Sequence, residues 1–373
     1  MSDKIKWMPF DIAERFMEDV FRGLGVPYEE ARVCAEVLIT ADKRGIDSHG
    51  IARLKTIYYD RIKSGIQKSN TYFQIIKETP TTLLIDGNDG MGHVIAKKSM
   101  SIAIKRAKKY GTGMVAVRNS THYGIAGYYT MMAAEEGMIG ITGTNARPSV
   151  APTFGVEPLL GTNPLTIGLP TDEEFPFVID CATSLSQRGK IEVYAREGKP
   201  LPAGWVIDRE GNSVTDSKKV LKMLVDGSAA CTPLGGIGEE GAGYKGFGYA
   251  TAVEIMCAAL QEGSYLRDLS GFKDGVQGPY HLGHFFIAIN IENFTDIRSF
   301  KRIAGNILRD IRSSAVSPDA QKIFTAGEKE YLCWLDRKEK GVPLNEENIK
   351  ELIIMRDELK LDRYDFNDIL KVY

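Results

Sequence analysis

The chain has 373 residues, 47 of them basic and 49 acidic, and this near balance excludes a general electrostatic attraction to nucleic acid or an anionic membrane. Hydrophobic residues make up 43% of the sequence, without an apolar run long enough to span a membrane and without a secretory signal at the start. The five scattered cysteines form no CxxC pair, which indicates reduced thiols, a cytoplasmic location and no cysteine-based zinc site.

The first 70 residues are predicted to be helical, because apolar residues recur there at helical spacing. Helices are predicted over residues 9–24, 28–42 and 51–64. β-Branched runs over residues 73–86 predict two strands, and residues 93–110 form a long amphipathic helix that ends at Gly111.

In the middle of the chain the residue pattern changes to short apolar runs bounded by Gly, Pro, Asn and Thr. These predict strands at 114–120, 138–145, 165–171, 177–183 and 284–292, with a buried helix at 247–261. Helices return at 296–313 and 345–359. The prediction is therefore a mixed α/β domain over residues 73–295, flanked by helical arms at 1–72 and 296–373 that pack together as a second domain.

A polar cluster lies between the second and third predicted helices, where the sequence reads Asp47-Ser48-His49-Gly50-Ile51-Ala52-Arg53. A histidine beside a serine can shuttle a proton near neutral pH, and the planar guanidinium of Arg53 suits a carboxylate. In a helical turn Arg53 would lie on the same side of the chain as His49. The alternative is that Asp47 or Ser48 only caps the next helix. Both interpretations stay open on these residues alone.

A second polar junction follows the strand predicted at 114–120 and reads STHYGIAGY. Backbone N–H groups at a strand-to-helix junction with small residues can reach a phosphate. The alternative is a plain helix start with a structural histidine at His122. The small residues on both sides of His122 favour a ligand site.

Residues 241–246, GAGYKG, match the pattern GxGxxG, but the preceding PLGGIGEE is not the hydrophobic strand that a Rossmann fingerprint requires. The sequence also lacks the Walker A pattern. A glycine loop that carries Lys245 into a helix start suits a phosphate or pyrophosphate. A mobile surface loop is the alternative interpretation.

Further candidates lie at predicted strand ends. The segments GTNP at 161–164 and DCATS at 180–184 are turn sequences when taken separately. Arg147 stands among turn-forming residues, where it could bind a second carboxylate or form an exposed salt bridge. His281 and His284 have no carboxylate or cysteine partner at zinc-like spacing, so both are interpreted as structural and no metal site is predicted.

Together these segments resemble the malate/L-lactate dehydrogenase family of the second, non-Rossmann type, which is related to ureidoglycolate and sulfolactate dehydrogenases. The family's motifs occur in order between about residues 9 and 360, as DSHGIARL, THYGIAGYY, GTNPL, DCATS with QRGK, GYKGFG and AGEKE. The resemblance implies an α/β fold, with a mixed-sheet, non-Rossmann nicotinamide-binding domain and a helical domain formed from both termini. It also implies a homodimer, with the active site near the subunit interface.

The resemblance assigns roles to individual residues. Ser48 and His49 would form the acid/base relay, and His122 is a second candidate for the base. Substrate would be held by Arg53, Arg147, Thr162, Arg188 and Gly189. The cofactor, NAD or NADP, would be contacted by His122, Tyr123, Gly124, Ile125, Ala126, Asn145, Asp180, Cys181, Ala182, Lys245, Gly327 and Glu328.

Two positions depart from the family pattern. Some members complete the relay with an aspartate just after the Arg-Gly pair, where this chain has Lys190. The relay would then be a Ser-His pair only, or another carboxylate such as Asp47 would serve. The usual Pro-Gly-Glu near the C-terminus reads Ala326-Gly327-Glu328, which weakens the assignment of that segment.

The resemblance implies hydride transfer between NAD(P) and a small 2-hydroxy acid or 2-oxo acid, with malate and oxaloacetate favoured if Arg147 binds a second carboxylate. The alternatives are lactate, ureidoglycolate or sulfolactate as substrate, or reduction of a cyclic imino acid, against which Lys190 counts. A non-redox ligand-binding protein or a lyase is the alternative from a different class.

Overall fold

The structure, a computed structural model, describes residues 5–273 and 275–372. Its helices are α1 Phe10–Gly23, α2 Tyr28–Lys43, α3 Asp60–Lys63, α4 Gly92–Tyr110, α5 Gly127–Glu135, α6 Arg188–Arg196, α7 Ser217–Asp226, α8 Gly243–Ala258, α9 Ile297–Ser313, α10 Glu328–Arg337, α11 Glu346–Glu358 and α12 Phe366–Ile369. Its strands are β1 Lys6–Met8, β2 Gln74–Glu78, β3 Thr82–Asp86, β4 Thr112–Ser120, β5 Met138–Thr144, β6 Leu165–Leu169, β7 Phe177–Cys181, β8 Val206–Asp208, β9 Ala229–Cys231, β10 Phe272–Lys273, β11 Val276–Gln277, β12 Leu282–Asn290 and β13 Val342–Leu344.

A seven-stranded sheet forms the centre of the fold, in the order β2-β3-β4-β12-β5-β6-β7. Only β3 and β4 run parallel, and α4 is the crossover helix between them. The other neighbours in this sheet pair antiparallel. The expected α/β fold with a mixed sheet is therefore confirmed.

Helices cover both faces of this sheet, as the side chains of β12 show. Phe286 and Ala288 join an apolar cluster with α4 and α5, whereas Phe285 packs with Val253 and Cys257 of α8. Because successive residues of a strand point to opposite faces, these two clusters lie on opposite sides of the sheet. The central sheet, which carries the site described below, is therefore buried on both faces.

Residues from both ends of the chain share one apolar core. Phe16 of α1 packs edge to face against Tyr364 and Phe366, and the same cluster contains Leu38 and Leu352. β1 pairs with β13, which brings the first strand beside a segment more than 300 residues later. These contacts support the two-domain division at residues 72 and 296, which itself stays a prediction.

The third predicted helix has an unusual form. Residues 51–64 begin with a 3₁₀ turn at Ile51–Arg53, widen into a π-helical turn at Leu54–Tyr59 and end as α3. π-Helical turns are rare and often occur at functional sites. Here Arg53 directly precedes the wide turn and Tyr58 lies within it, and both reach the site described below.

The glycines of residues 241–246 have a structural explanation. A Cβ at Gly243 would lie 2.0 Å from the carbonyl oxygen of Gly236, and one at Gly246 would lie 2.1 Å from that of Leu234. Only glycine permits so close an approach of backbone to backbone. Because α8 begins at Gly243, Lys245 lies in its first turn rather than in a loop.

Among the described residues, no helix is both long enough and apolar enough to cross a membrane. The same part of the chain contains no group of three or more His, Cys, Asp or Glu side chains placed to hold a metal ion.

Candidate active site

The loop that carries Ser48 and His49 is fixed by a buried carboxylate. The backbone N–H of Ile51 donates to Asp42 Oδ2 at 2.8 Å, and burial raises the pKa of Asp42 well above its usual value. A Cβ at Gly50 would lie 1.9 Å from Asp42, so only glycine fits there. Gly50 occupies the cap position of the following turn without a side-chain cap bond, which contradicts capping by Asp47 or Ser48.

The carboxylate of Asp47 is engaged outside the loop. It accepts two bonds from Arg337 at the end of α10, at 2.5 and 2.9 Å, and Arg337 also donates to the backbone oxygen of Asp42 at 2.9 Å. Asp47 therefore anchors the loop to the C-terminal part of the chain. Its carboxylate is not bonded to His49.

Ser48 and His49 form a side-chain pair, with Ser48 Oγ 2.9 Å from His49 Nδ1. Burial and, to a smaller extent, the nearby guanidinium of Arg53 together lower the pKa of His49 to about 4. The imidazole is thus neutral near pH 7. If Nδ1–H donates to Ser48, the free lone pair of Nε2 is available to accept a proton.

His122 lies in the loop between β4 and α5, and its ring faces His49 with centroids 5.8 Å apart and planes 22° apart. Its Nδ1 receives the backbone N–H of Gly124 at 3.2 Å and lies 2.6 Å from the Tyr58 hydroxyl. Because a backbone N–H can only donate, Nδ1 carries no proton and Nε2 must carry it. Burial lowers the pKa of His122 well below its usual value, so the ring is a neutral donor.

Behind the histidine pair, Tyr58 and His93 form a buried column of aromatic rings that begins at His122. Tyr58 is fully buried and contacts the ring of His93 with centroids 4.7 Å apart. Neither ring nitrogen of His93 has a hydrogen-bond partner among the described residues, and burial lowers the pKa of His93 to about 3. This column holds the inner face of His122 in an apolar setting.

The buried histidines predict a loss of stability in mild acid. In the unfolded chain a histidine binds a proton near pH 6.5, whereas in the folded protein His93 and His284 stay neutral down to a pKa of about 3. The unfolded state then binds more protons as the pH falls below 6.5, and the free energy of unfolding decreases by about 1.4 kcal/mol per pH unit for each such histidine.

Urea titrations of the wild type and His93→Phe at several pH values below 6.5 measure this effect. The variant should lose about 1.4 kcal/mol per pH unit less than the wild type, because one buried histidine is gone. An identical pH dependence in the two proteins would mean that His93 is protonated in the fold.

A cavity of about 340 Å³ opens beside the two histidines. Its wall contains most of the junction residues predicted from the sequence, together with residues from β5, β7 and two loops. The predicted residues that line it are His49, His122, Tyr123, Gly124, Ile125, Ala126, Asn145, Thr162, Asp180 and Ala182.

Asp180 organises the wall formed by the start of α5. Its carboxylate accepts the Gly127 N–H at 2.7 Å and the Thr166 hydroxyl at 3.0 Å. Burial raises the pKa of Asp180, and its two hydrogen bonds and the neighbouring Arg44 lower it in part. Asn145 also helps to hold the wall of the cavity in place, since its side chain bonds the backbone of Ser264 and Gly283.

This cavity fits a nicotinamide ring. Its volume is near the lower end for ligand pockets, which suits one ring rather than a whole dinucleotide. Apolar walls at Ile125, Val178 and Leu282 match a flat heterocycle, while the peptide groups of 122–127 and the amide of Gln187 provide donors and acceptors for a carboxamide. His49 and His122 border the same space.

Arg53 faces a second cavity, of about 770 Å³, which it lines with Ser48, Gly189 and Glu192. Its Nε donates to the Ser48 carbonyl at 2.7 Å, and its guanidinium lies 3.7 Å from the Glu192 carboxylate. A Cβ at Gly189 would lie 2.7 Å from the same guanidinium. Arg53 thus links the loop that carries Ser48 and His49 to α6, and the Glu192 carboxylate already lies beside its guanidinium.

Several predicted residues lie outside both cavities. Lys245 is exposed and contacts the ring of Tyr244, Cys181 is exposed at the end of β7, and Arg188 pairs with Glu192 at 2.9 Å. Gly327 begins α10, and Glu328 is bonded to Lys322 at 2.5 Å and to Thr325 at 3.1 Å. Their predicted roles in binding stay predictions.

Lys190 and the late histidines also have defined partners. Lys190 lies over the ring of Trp205, 4.7 Å from its centroid. His281 bonds Asp89 at 2.8 Å, while His284 bonds Thr144 at 2.8 Å and stacks on Tyr123 with centroids 4.5 Å apart. These contacts agree with the structural interpretation of His281 and His284.

Several residues near the site had no predicted role. Arg44, Gln187 and Glu330 line the smaller cavity, and Tyr58 bonds His122. Gln187 and Glu330 lie within the motifs QRGK and AGEKE, so the sequence contained a signal for both. Arg44 lies shortly before Asp47, whereas Tyr58 reaches the site only through tertiary packing.

A mixed sheet without a Rossmann turn, a ring-sized cavity and two neutral histidines near an arginine agree with the class of enzyme that the sequence predicts, a dehydrogenase of small hydroxy acids. Residues 8–353 match the family model described as malate/L-lactate dehydrogenase. A malate dehydrogenase from Pyrococcus horikoshii is 43% identical over 345 residues, which cover 92% of this chain and 93% of that protein.

One solved structure and one further relative are similar to this chain. The crystal structure of malate dehydrogenase from Entamoeba histolytica superposes with a TM-score of 0.92 at 45% identity, covering 95% of this chain and 98% of that one. Malate/(S)-sulfolactate dehydrogenase from Methanothermus fervidus is 34% identical over 92% of this chain and 95% of its own length. The chain belongs to the malate/L-lactate dehydrogenase family, and it is therefore a hydroxy-acid dehydrogenase that uses a nicotinamide cofactor.

Proposed function

We propose that the protein interconverts a small 2-hydroxy acid and its 2-oxo acid, with malate and oxaloacetate as the preferred pair. The observation that carries the proposal is the placement of His49 and His122 face to face, with Arg53 beside the catalytic loop. The names of the relatives from Pyrococcus horikoshii and Entamoeba histolytica support malate.

We propose that His49 is the acid/base residue. Its neutral ring accepts the hydroxyl proton of the substrate when the hydroxy acid is oxidised and returns that proton when the oxo acid is reduced. Ser48 holds Nδ1 and stabilises the imidazolium that forms. The low pKa of His49, about 4, would rise when a substrate carboxylate neutralises Arg53, because Arg53 is one cause of the lowering.

His122 has a different part in this proposal. Because its Nδ1 already accepts from Gly124, its Nε2–H is free to donate to the substrate oxygen. A neutral imidazole donor at that oxygen stabilises the charge that develops there as the proton moves. Tyr58 keeps the ring in this tautomer.

The cofactor, NAD or NADP, supplies hydride acceptance in one direction and hydride donation in the other. We propose that the peptide groups of 122–127, Thr162, Asp180 and Ala182 hold its nicotinamide. Arg53 would fix the substrate carboxylate so that the reacting carbon is oriented toward this ring.

The experiment that tests the function crosses a panel of 2-hydroxy acids and 2-oxo acids with NAD and NADP, followed by nicotinamide absorbance. Malate with one of the two cofactors should give the highest kcat/KM. Absence of any NADH or NADPH binding by fluorescence would favour a non-redox ligand-binding protein or a lyase instead. A cyclic imino acid as the best substrate would favour the reductase alternative.

Arg147 is proposed to bind the second carboxylate of malate. It is exposed on the loop after β5 and has no ion pair with a carboxylate in the described structure. Arg147→Ala should therefore lower the malate-to-lactate ratio of kcat/KM by about tenfold, the effect expected for losing one charged hydrogen bond. An unchanged malate-to-lactate ratio would show that Arg147 does not bind the second carboxylate.

We also propose a homodimer that works in the cytoplasm. A mostly apolar cavity of about 730 Å³ is lined by Leu159, Phe247 and Ile255, and the neighbouring Leu260 and Tyr265 are exposed. Such an apolar face is typical of a subunit interface. Light scattering should then give twice the monomer mass. The cysteines, all free, fit a reducing compartment.

A further inference from the structure

A buried carboxylate on α8 lies behind the wall of the smaller cavity and has no part in the proposed proton transfer. Glu254 is 5% exposed and lines the apolar cavity of about 730 Å³. Its Oε2 accepts from the side-chain amide of Asn163 at 2.7 Å, and its Oε1 accepts the backbone N–H of Leu266 at 2.9 Å. Since both partners are N–H donors, they select the deprotonated carboxylate, which accepts at both oxygens.

Asn163 connects Glu254 to the loop after β5. It is fully buried at a φ of 33°, and its Oδ1 accepts the backbone N–H of Ala146 at 3.2 Å. Ala146 lines the smaller cavity, and so do Thr162 and Pro164 on either side of Asn163. One amide side chain, held by Glu254, therefore fixes two segments of the cavity wall relative to each other.

A second connection runs through the chain after α8. The backbone carbonyl of Ser264, two residues before Leu266, accepts from the side chain of Asn145 at 3.2 Å, and Asn145 also lines the smaller cavity. Burial raises the pKa of Glu254, and hydrogen bonds from Leu266, Asn163 and Asn145 lower it in part. In such apolar surroundings a correct hydrogen bond is strong and a mispaired one is costly.

We propose that Glu254 is a positioning residue for cofactor binding, which holds the wall formed by residues 144–146 and 162–164 through its bonds to Asn163 and Leu266. This inference rests on the proposed placement of the nicotinamide in the smaller cavity. Glu254 itself does not touch the cofactor. The wall is ordered when the chain folds, so that binding the ring does not have to order it.

Glu254→Gln tests this connection with almost no change of shape. It replaces one carboxylate oxygen with an NH2 donor, which must face the N–H of either Asn163 or Leu266, so that one bond is lost whichever way the side chain turns. If the amide of Asn163 turns over to accept the new donor, its own NH2 group meets the N–H of Ala146 instead. The mispairing therefore reaches the cavity wall.

The affinity for the cofactor is the property expected to change. In Glu254→Gln, the Kd for NADH or NADPH, measured by fluorescence, should rise by about 10-fold, as for the loss of one charged hydrogen bond. The single-turnover rate at saturating cofactor and substrate should change by less than about threefold, because His49 and His122 keep their partners.

Asn163→Gly breaks the same connection from the other side and should give a similar rise in Kd. Glycine is unstrained at the positive φ of this position, so this variant also serves as the test if Glu254→Gln does not fold. The double variant Glu254→Gln/Asn163→Asp exchanges the amide and the carboxylate, restores an acceptor opposite the new donor and should recover part of the affinity. Recovery should be partial, because the Ala250 carbonyl that Asn163 also bonds would then face an oxygen.

Asp86→Asn is the matched control. Asp86 is 7% exposed, its side chain accepts three hydrogen bonds of 2.9 Å each, and it lines neither of the cavities beside the histidines and Arg53. This variant should bind the cofactor as the wild type does, even where its Tm falls as far as that of Glu254→Gln. An equal loss of cofactor affinity in Asp86→Asn, or an unchanged Kd in Glu254→Gln, would overturn the proposal.

Hydrogen exchange examines the wall without any ligand. The peptide that contains residues 144–147 should exchange faster in Glu254→Gln than in the wild type or in Asp86→Asn, and more slowly again in the double variant. Unchanged exchange there would show that Glu254 does not order the wall. Failure of the wild type to bind either nicotinamide cofactor would instead overturn the proposed function, while the exchange comparison would still decide on the role of Glu254.

Discussion

His49→Ala is expected to reduce kcat for hydroxy-acid oxidation by about 10²- to 10⁴-fold, the usual contribution of a positioned general base. The reason is that in the proposed tautomer, with Nδ1–H donating to Ser48, His49 keeps the Nε2 lone pair free for the substrate proton. Nδ1 of His122 is already occupied by Gly124, and its Nε2 carries the proton. Cofactor binding should be nearly unchanged in this variant, because the cavity wall formed by 122–127 stays intact.

Single-turnover absorbance at saturating cofactor measures the chemical step directly, with His122→Ala in parallel. His122→Ala should slow the chemical step less than His49→Ala does, because it removes a donor to the substrate oxygen rather than the base, and it should also raise the KM for the cofactor, since that side chain borders the same cavity. A large loss of the single-turnover rate in His122→Ala alone would mean that His122, and not His49, is the base. Small and equal losses in both variants would contradict the whole acid/base scheme.

Arg53→Gln is expected to lower kcat/KM for every 2-hydroxy acid by about 10²- to 10³-fold. The loss combines a charge-assisted bond to the carboxylate with the orientation that this bond gives the reacting carbon. Arg53→Lys should recover little, because an ammonium lacks the planar fork that bonds both the Ser48 carbonyl and a ligand. The loss should be the same for malate and lactate, because both carry the carboxylate that Arg53 would bind.

The pH profile provides an independent check on Arg53. Its guanidinium is one cause of the low pKa of His49, so Arg53→Gln should move the acid limb of log(kcat/KM) for oxidation to higher pH. A steady-state profile of the surface variant Arg32→Gln gives the reference. An acid limb at the same pH in both proteins would mean that Arg53 does not act on the base.

The long elements of the fold were predictable because their apolar residues repeat at the helical or strand period. α1, α2, α4, β4, β5 and β12 all lie within two residues of the predicted starts. β8 and β9 have three residues each, too few for the two-residue alternation of a strand to be recognised. α6 and α7 were missed because they pack on a small separate apolar cluster around Val206 and Val220, which only tertiary contacts create.

The residues of the site also divide into those that the sequence predicts and those that it does not. Loops that carry several chemical groups together, such as Ser48-His49 and the junction at His122, are visible in the sequence, and the structure brings both histidines to one cavity. Tyr58 was not predictable, because a tyrosine within a helix has no local signature. It contacts His122 only because the wide helical turn and the loop after β4 are brought together in the fold.

The ion pair between Asp47 and Arg337 makes the catalytic loop depend on a contact across 290 positions of the chain. Contacts of such long sequence separation form late in folding, because closing a long loop costs entropy before the contact is gained. During synthesis, the segment with Ser48 and His49 leaves the ribosome long before its anchor on α10 exists. Until Arg337 has been synthesised, a growing chain therefore carries both histidines without the ion pair that anchors their loop.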